Sequence, residues 1–114
     1  MHELAIAEGI ISLVGEAAPG EKVVTVTVEI GSLSGVSVEA LRFALPLAAE
    51  DTPLRDSRFE LIEIPGRARC EDCGGEFATH SLYAPCTCGS PQIAMLAGQE
   101  LLVRSIEVEE TENV

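Results

Sequence analysis

The stretch Cys70-Glu71-Asp72-Cys73, twelve further residues, then Cys86-Thr87-Cys88 decides how the chain is read. All four cysteines lie within it. Two short cysteine pairs with a loop between them supply what a tetrahedral zinc ion needs. Each pair grips from one turn, and the loop brings the chain back. Gly74-Gly75 follow the first pair and Gly89 follows the second. A turn that aims successive groups at one ion often needs φ > 0, which Gly takes at no steric cost. The second pair is C-x-C rather than C-x-x-C, so its two sulfurs reach one metal only where the backbone curls. The expected ligands of zinc are Cys70, Cys73, Cys86 and Cys88; a pair of disulfides is the alternative. His80 is read as a solvated loop residue, the alternative being that it replaces Cys86 or Cys88 as fourth ligand.

Strands flank this module. Arg58 to Ile64 leads in and is closed by Pro65-Gly66; Glu100 to Val108 leads out. The module therefore reads as a hairpin insert hung from a sheet. Upstream, Lys22 to Ile30 reads as another strand, with Val24, Val26, Val28 and Ile30 on one face and Val23, Thr25, Thr27 and Glu29 on the other. His2 to Ala18 reads as a helix. Leu4, Ala7, Ile11, Val14 and Ala18 make one ridge, Ile6, Ile10, Leu13 and Ala17 the next, and Pro19-Gly20 ends it. A second helix starts after Ser37 as N-cap, with Val36 and Leu41 placed for a hydrophobic staple. Pro46 predicts a kink or break near Leu45. The fold class is α+β: two helices packed on a small three-stranded sheet, with an inserted zinc-ribbon-like module. Residues 1–67 with 92–114 form the main domain, and 68–91 the inserted zinc-binding domain.

The chain has 114 residues, enough for one small core, and that core must be aliphatic: there are three Phe, one Tyr and no Trp. The formal charge is −12, which argues against a nucleic-acid partner because phosphate binding runs on Lys and Arg. It suits a basic protein partner or a cation, or solubility alone. No basic leader and no membrane-length apolar run is visible. The expectation is a cytoplasmic protein with reduced thiols, which favours metal over disulfides. No nucleophile elbow or phosphate-cradling loop is present, and His2 and His80 are the only histidines. An enzyme is not expected. The acidic tail from Glu107 to Glu112 is expected to fray.

The chain start offers a second metal site. The terminal amine and the deprotonated amide nitrogen of His2 close a five-membered ring. That amide and the His2 imidazole close a six-membered ring. Three nitrogens in one plane suit square-planar nickel(II) or copper(II), and Glu3 can complete the set through its amide or its carboxylate. The alternative is an exposed, frayed terminus.

Met1-His2-Glu3-Leu4-Ala5-Ile6-Ala7 resembles the start of the HypA/HybF family of hydrogenase nickel-insertion proteins. The resemblance continues through Glu29-Ile30-Gly31-Ser32-Leu33-Ser34-Gly35-Val36, Leu41-Arg42-Phe43-Ala44 and Ile64-Pro65-Gly66. It takes in both cysteine pairs and Leu96-Ala97-Gly98-Gln99-Glu100-Leu101, and closes with Ser105-Ile106-Glu107-Val108-Glu109. It implies a nickel metallochaperone rather than an enzyme. Nickel would be held by the Met1 amine, His2 and Glu3 in the main domain, and a structural zinc by Cys70, Cys73, Cys86 and Cys88. The implied partners are a nickel-handling GTPase and the large subunit of [NiFe] hydrogenase or, in some organisms, urease. The expected state is a monomer or weak homodimer. Two features depart from the family pattern: one residue fewer between Cys86 and Cys88, and Pro46, which predicts a shorter second helix. The rival reading is a zinc-ribbon adaptor that mediates protein–protein contacts without metal transfer.

Overall fold

Apolar residues recurring at helical spacing from Ala7 to Val14 give α1 (Glu3–Ala17) one face to bury, and Ala7, Ile10, Ile11 and Val14 are its buried residues. The computed structural model describes residues 2–109. After α1 come β1 (Val23–Gly31), α2 (Val38–Ala49), β2 (Arg58–Ile64), β3 (Gly66–Cys70), β4 (Glu76–Thr79), β5 (Ile93–Ala97) and β6 (Leu101–Val108). The strands form two separate three-stranded sheets, β2-β1-β6 and β4-β3-β5.

The β-branched run of β1 is the centre of the first sheet. It pairs in parallel with β2, Val26 opposite Phe59 and Val28 opposite Leu61. On its other side it pairs antiparallel with β6, Val28 opposite Val103. A parallel neighbour needs a crossover, and α2 supplies it. Both helices bury their stripes with Val26, Val28 and Ile30 of β1, and Leu41, Leu45 and Val14 are fully enclosed. Each such side chain contributes about 1.5–3 kcal/mol on leaving water, so this lobe has a core of its own.

Ser37 caps α2: its side chain accepts from the Ala40 N–H at 3.2 Å. Val36 packs against the core and Leu41 is fully buried, as a staple requires. Of the kink or break expected near Leu45, the break does not occur. α2 runs through Pro46 to Ala49. Pro46 is exposed, while Leu41, Ala44, Leu45 and Ala49 are buried on both sides of it. Packing of that face outweighs the lost hydrogen bond.

The cysteine module is more than a hairpin. β3 is its central strand, antiparallel to both β4 and β5. The sheet extends from Gly66 to Ala97, past both ends of residues 68–91. β5 went unread in the sequence as a strand of this sheet. The buried side chains of this lobe are few and small: Ala68, Cys70, Thr79 and Cys86.

The two lobes meet at a glycine joint. A Cβ on Gly31 would run into the Gly98 carbonyl, one on Gly66 into the Thr79 carbonyl, and one on Gly98 would lie 2.7 Å from the Gly66 Cα. The Leu33 N–H donates to the Gly98 carbonyl (2.7 Å), the Ser32 N–H to that of Ile64 (2.9 Å) and the Gly31 N–H to that of Glu100 (2.7 Å). The Gly98 N–H donates to Glu100 Oε1 at 2.7 Å. The result is elongated, 62 × 32 × 18 Å, with a radius of gyration of 17.8 Å against about 13 Å for a compact chain of this length.

Candidate metal centre

Two tight turns bring the cysteines together. In the first, the Cys70 N–H donates to the Gly75 carbonyl (2.8 Å) and the Gly74 N–H to the Cys70 carbonyl (2.9 Å). In the second, the Cys86 N–H donates to the Ser90 carbonyl (2.9 Å) and the Gly89 N–H to the Cys86 carbonyl (2.8 Å). Gly74 at φ 77° and Gly89 at φ 94° take the left-handed conformation both turns need. The first turn closes over five residues and the second over four. The residue missing from C-x-C is therefore absorbed by a shorter turn, and Cys86 still faces inward.

All four Sγ atoms lie within 4.8 Å of one another. Cys70 and Cys88 are 3.7 Å apart, and Cys73 and Cys86 3.6 Å. A tetrahedron of zinc–sulfur bonds about 2.3 Å long has edges of about 3.8 Å. The spacing fits one ion at the centre, and four thiolates are the donor set zinc takes in structural sites. The four are free cysteines, so the disulfide alternative does not hold. His80 is exposed and is not part of the cluster.

The surroundings favour charge on two of the sulfurs. The Cys73 N–H points at Cys70 Sγ (3.4 Å) and the Cys88 N–H at Cys86 Sγ (3.5 Å). The Cys73 N–H is the main cause that brings Cys70 down to about 6. The Cys88 N–H likewise lowers Cys86. For Cys88, the Ser90 N–H favours the thiolate, but the neighbouring Cys86 and Cys70 sulfurs together push it up to about 12. Cys73 rises in the same way: the Gly75 N–H lowers it, and Cys70 and Cys86 outweigh that. A cation at the centre removes this mutual repulsion.

One contact here was not foreseen. The Ser90 hydroxyl donates to Asp72 Oδ2, tying the residue between the first two cysteines to the residue after the second glycine. It latches one turn to the other. Their separation of 18 residues left no signal in the sequence.

At the other end, Met1 and its amine lie outside the described residues. His2 is exposed and precedes α1, and its side chain makes no capping hydrogen bond. Its carbonyl accepts from the Ile6 N–H at 3.1 Å. Glu3 opens α1, and its Oε2 accepts from the Ser37 N–H at 3.0 Å. That bond is the main cause holding the Glu3 carboxyl below its ordinary value.

The family model described as "Hydrogenase/urease nickel incorporation, metallochaperone, hypA" matches residues 1–108. Among relatives, "Hydrogenase maturation factor HypA" of Nostoc punctiforme is 41% identical over 110 residues, covering 96% of this chain and 97% of that protein. The protein of the same name from Geobacter metallireducens is 37% identical, covering 96% and 100%. Among solved structures, the Ni metallochaperone HypA from Helicobacter pylori aligns with a TM-score of 0.69 at 25% identity, covering 95% of this chain and 97% of that one.

Proposed function

The chain belongs to the HypA family of nickel-incorporation metallochaperones for hydrogenase maturation, and from that premise we propose that it carries Ni(II) at Met1-His2-Glu3 and holds zinc at its four cysteines. The observation that carries this reading is the family match over residues 1–108, which takes in both the Met-His-Glu start and the cysteine pairs. Family members are maturation factors rather than catalysts, and the site here is read as a carrier.

Nickel is the cargo. The Met1 amine, the His2 nitrogens and Glu3 are the proposed ligands, Glu3 through its backbone amide because its carboxylate accepts from the Ser37 N–H. His2 is exposed and its side chain makes no capping hydrogen bond, so few packing contacts must break for the ion to leave. The amine, the amide and the imidazole must all lack protons to bind, so affinity falls as pH falls. Zinc is the resident ion. Cys70, Cys73, Cys86 and Cys88 would hold it, and it would staple a lobe whose own apolar burial is slight. The proposed partners are a nickel-handling GTPase and the large subunit of [NiFe] hydrogenase, with urease as a further client. A basic partner suits a chain of net charge −12. No helix among the described residues is long and apolar enough to cross a membrane, and the proposed location is the cytoplasm.

The test compares Ni(II) uptake by the untagged chain, by His2→Ala and by a form with one extra residue before Met1. Both changes should abolish tight nickel binding while leaving zinc content at one per chain. Nickel affinity equal to the parent's in His2→Ala would end the carrier reading.

A further inference from the structure

The Glu3–Ser37 contact joins residues 34 positions apart, the first turn of α1 and the N-cap of α2. Two acceptors serve this helix start. Ser37 Oγ takes the Ala40 N–H, and Glu3 Oε2 takes the Ser37 N–H. An anion near a helix N-terminus is also favoured by the backbone dipoles. His2, one residue earlier, is exposed, and its side chain makes no capping hydrogen bond. The two side chains are thus divided: the imidazole lies exposed, and the carboxylate is bonded to α2.

The backbone completes the arrangement. The Ile6 N–H holds the His2 carbonyl in the first turn of α1. With that carbonyl held from within α1 and the next side chain tied to α2, the direction in which His2 leaves the fold is set from two sides. We propose that Glu3 is a positioning residue, whose carboxylate docks on the Ser37 backbone N–H and so fixes where His2 stands against α2. Its effect on nickel rests on the carrier reading above; the docking itself does not.

The experiment uses the full chain with Glu3→Ala, Glu3→Gln and a control, Glu8→Ala. Glu8 lies exposed on the same helix. A glutamine side-chain oxygen can accept the same N–H, whereas alanine cannot. In nickel-free protein, the Ser37 amide proton resonance should move in Glu3→Ala, and the amides of residues 3–5 should gain mobility. Glu3→Gln and Glu8→Ala should stay close to the parent. With Ni(II) alone as probe, Glu3→Ala should weaken binding by about two- to tenfold, the scale of one hydrogen bond. Glu3→Gln should recover most of that. An unmoved Ser37 resonance in Glu3→Ala overturns the docking. Equal loss of nickel in Glu3→Gln and Glu3→Ala overturns the positioning role, because it would mean that the negative charge itself acts. If the parent takes up no nickel, the carrier reading fails, and the Ser37 resonance still decides the docking.

Discussion

Of the three glycines at the joint between the lobes, Gly98 is the one with a left-handed backbone. Its φ is 116°, and an added Cβ would meet Gly66 Cα at 2.7 Å. Gly98→Ala should therefore destabilise the protein by roughly 1–3 kcal/mol, the usual cost of a non-glycine residue held in a sparsely populated conformation. A thermal melt checks this, and an unchanged midpoint would mean that the joint gives way freely. The cysteines carry a second residue-scale prediction, on pH. Cys70, lowered to about 6, is already a thiolate at pH 7.5, whereas Cys88, raised to about 12, still holds its proton. Zinc binding at pH 7.5 should then release fewer than four protons, and the number should climb toward four as pH falls below 6. Affinity weakens over the same range, because protons compete for every sulfur. Calorimetry in buffers of different ionisation enthalpy counts the protons; a constant four across this range would contradict the assignment. The four cysteines were legible as one site from their spacing. How C-x-C closes was not, because it depends on the length of a hydrogen-bonded turn rather than on residue type.

At the scale of the element, α2 shows packing overriding local preference. Pro46 removes one backbone donor and crowds the carbonyl of Arg42, yet the helix continues to Ala49. Pro46→Ala should restore the donor and raise stability by about 1–3 kcal/mol, read as a higher denaturant midpoint. No change would show that the helix has already relaxed around the ring. Ser37 was legible as the cap because its side chain acts within its own turn. Its N–H partner was not, since Glu3 reaches it from another helix. β5 was missed for a related reason. Ile93, Ala94, Met95 and Ala97 are all half-buried, so the strand lacks the alternation that marks one wet face and one dry one.

For the whole molecule, the two lobes are held by different means. The first buries Val14, Val26, Val28, Ile30, Leu41 and Leu45 completely. The second has two sheet-edge strands, little apolar burial and a sulfur cluster. If the four cysteines hold zinc as proposed, stripping it with a chelator should melt the second lobe and leave the first folded. Amide exchange should show protection lost in β3–β5 and kept in β1 and α2; loss of protection across both lobes would show that the joint makes them one cooperative unit. The amino-acid sequence by itself determined the two helices, the three strands of the main sheet and the grouping of the thiols, because each is written in local periodicity or spacing. Only the tertiary structure decided that β3, β4 and β5 form a separate sheet, that three glycines weld the lobes, and that Glu3 reaches Ser37. Those outcomes depend on register and close approach between distant segments, and no local preference encodes them.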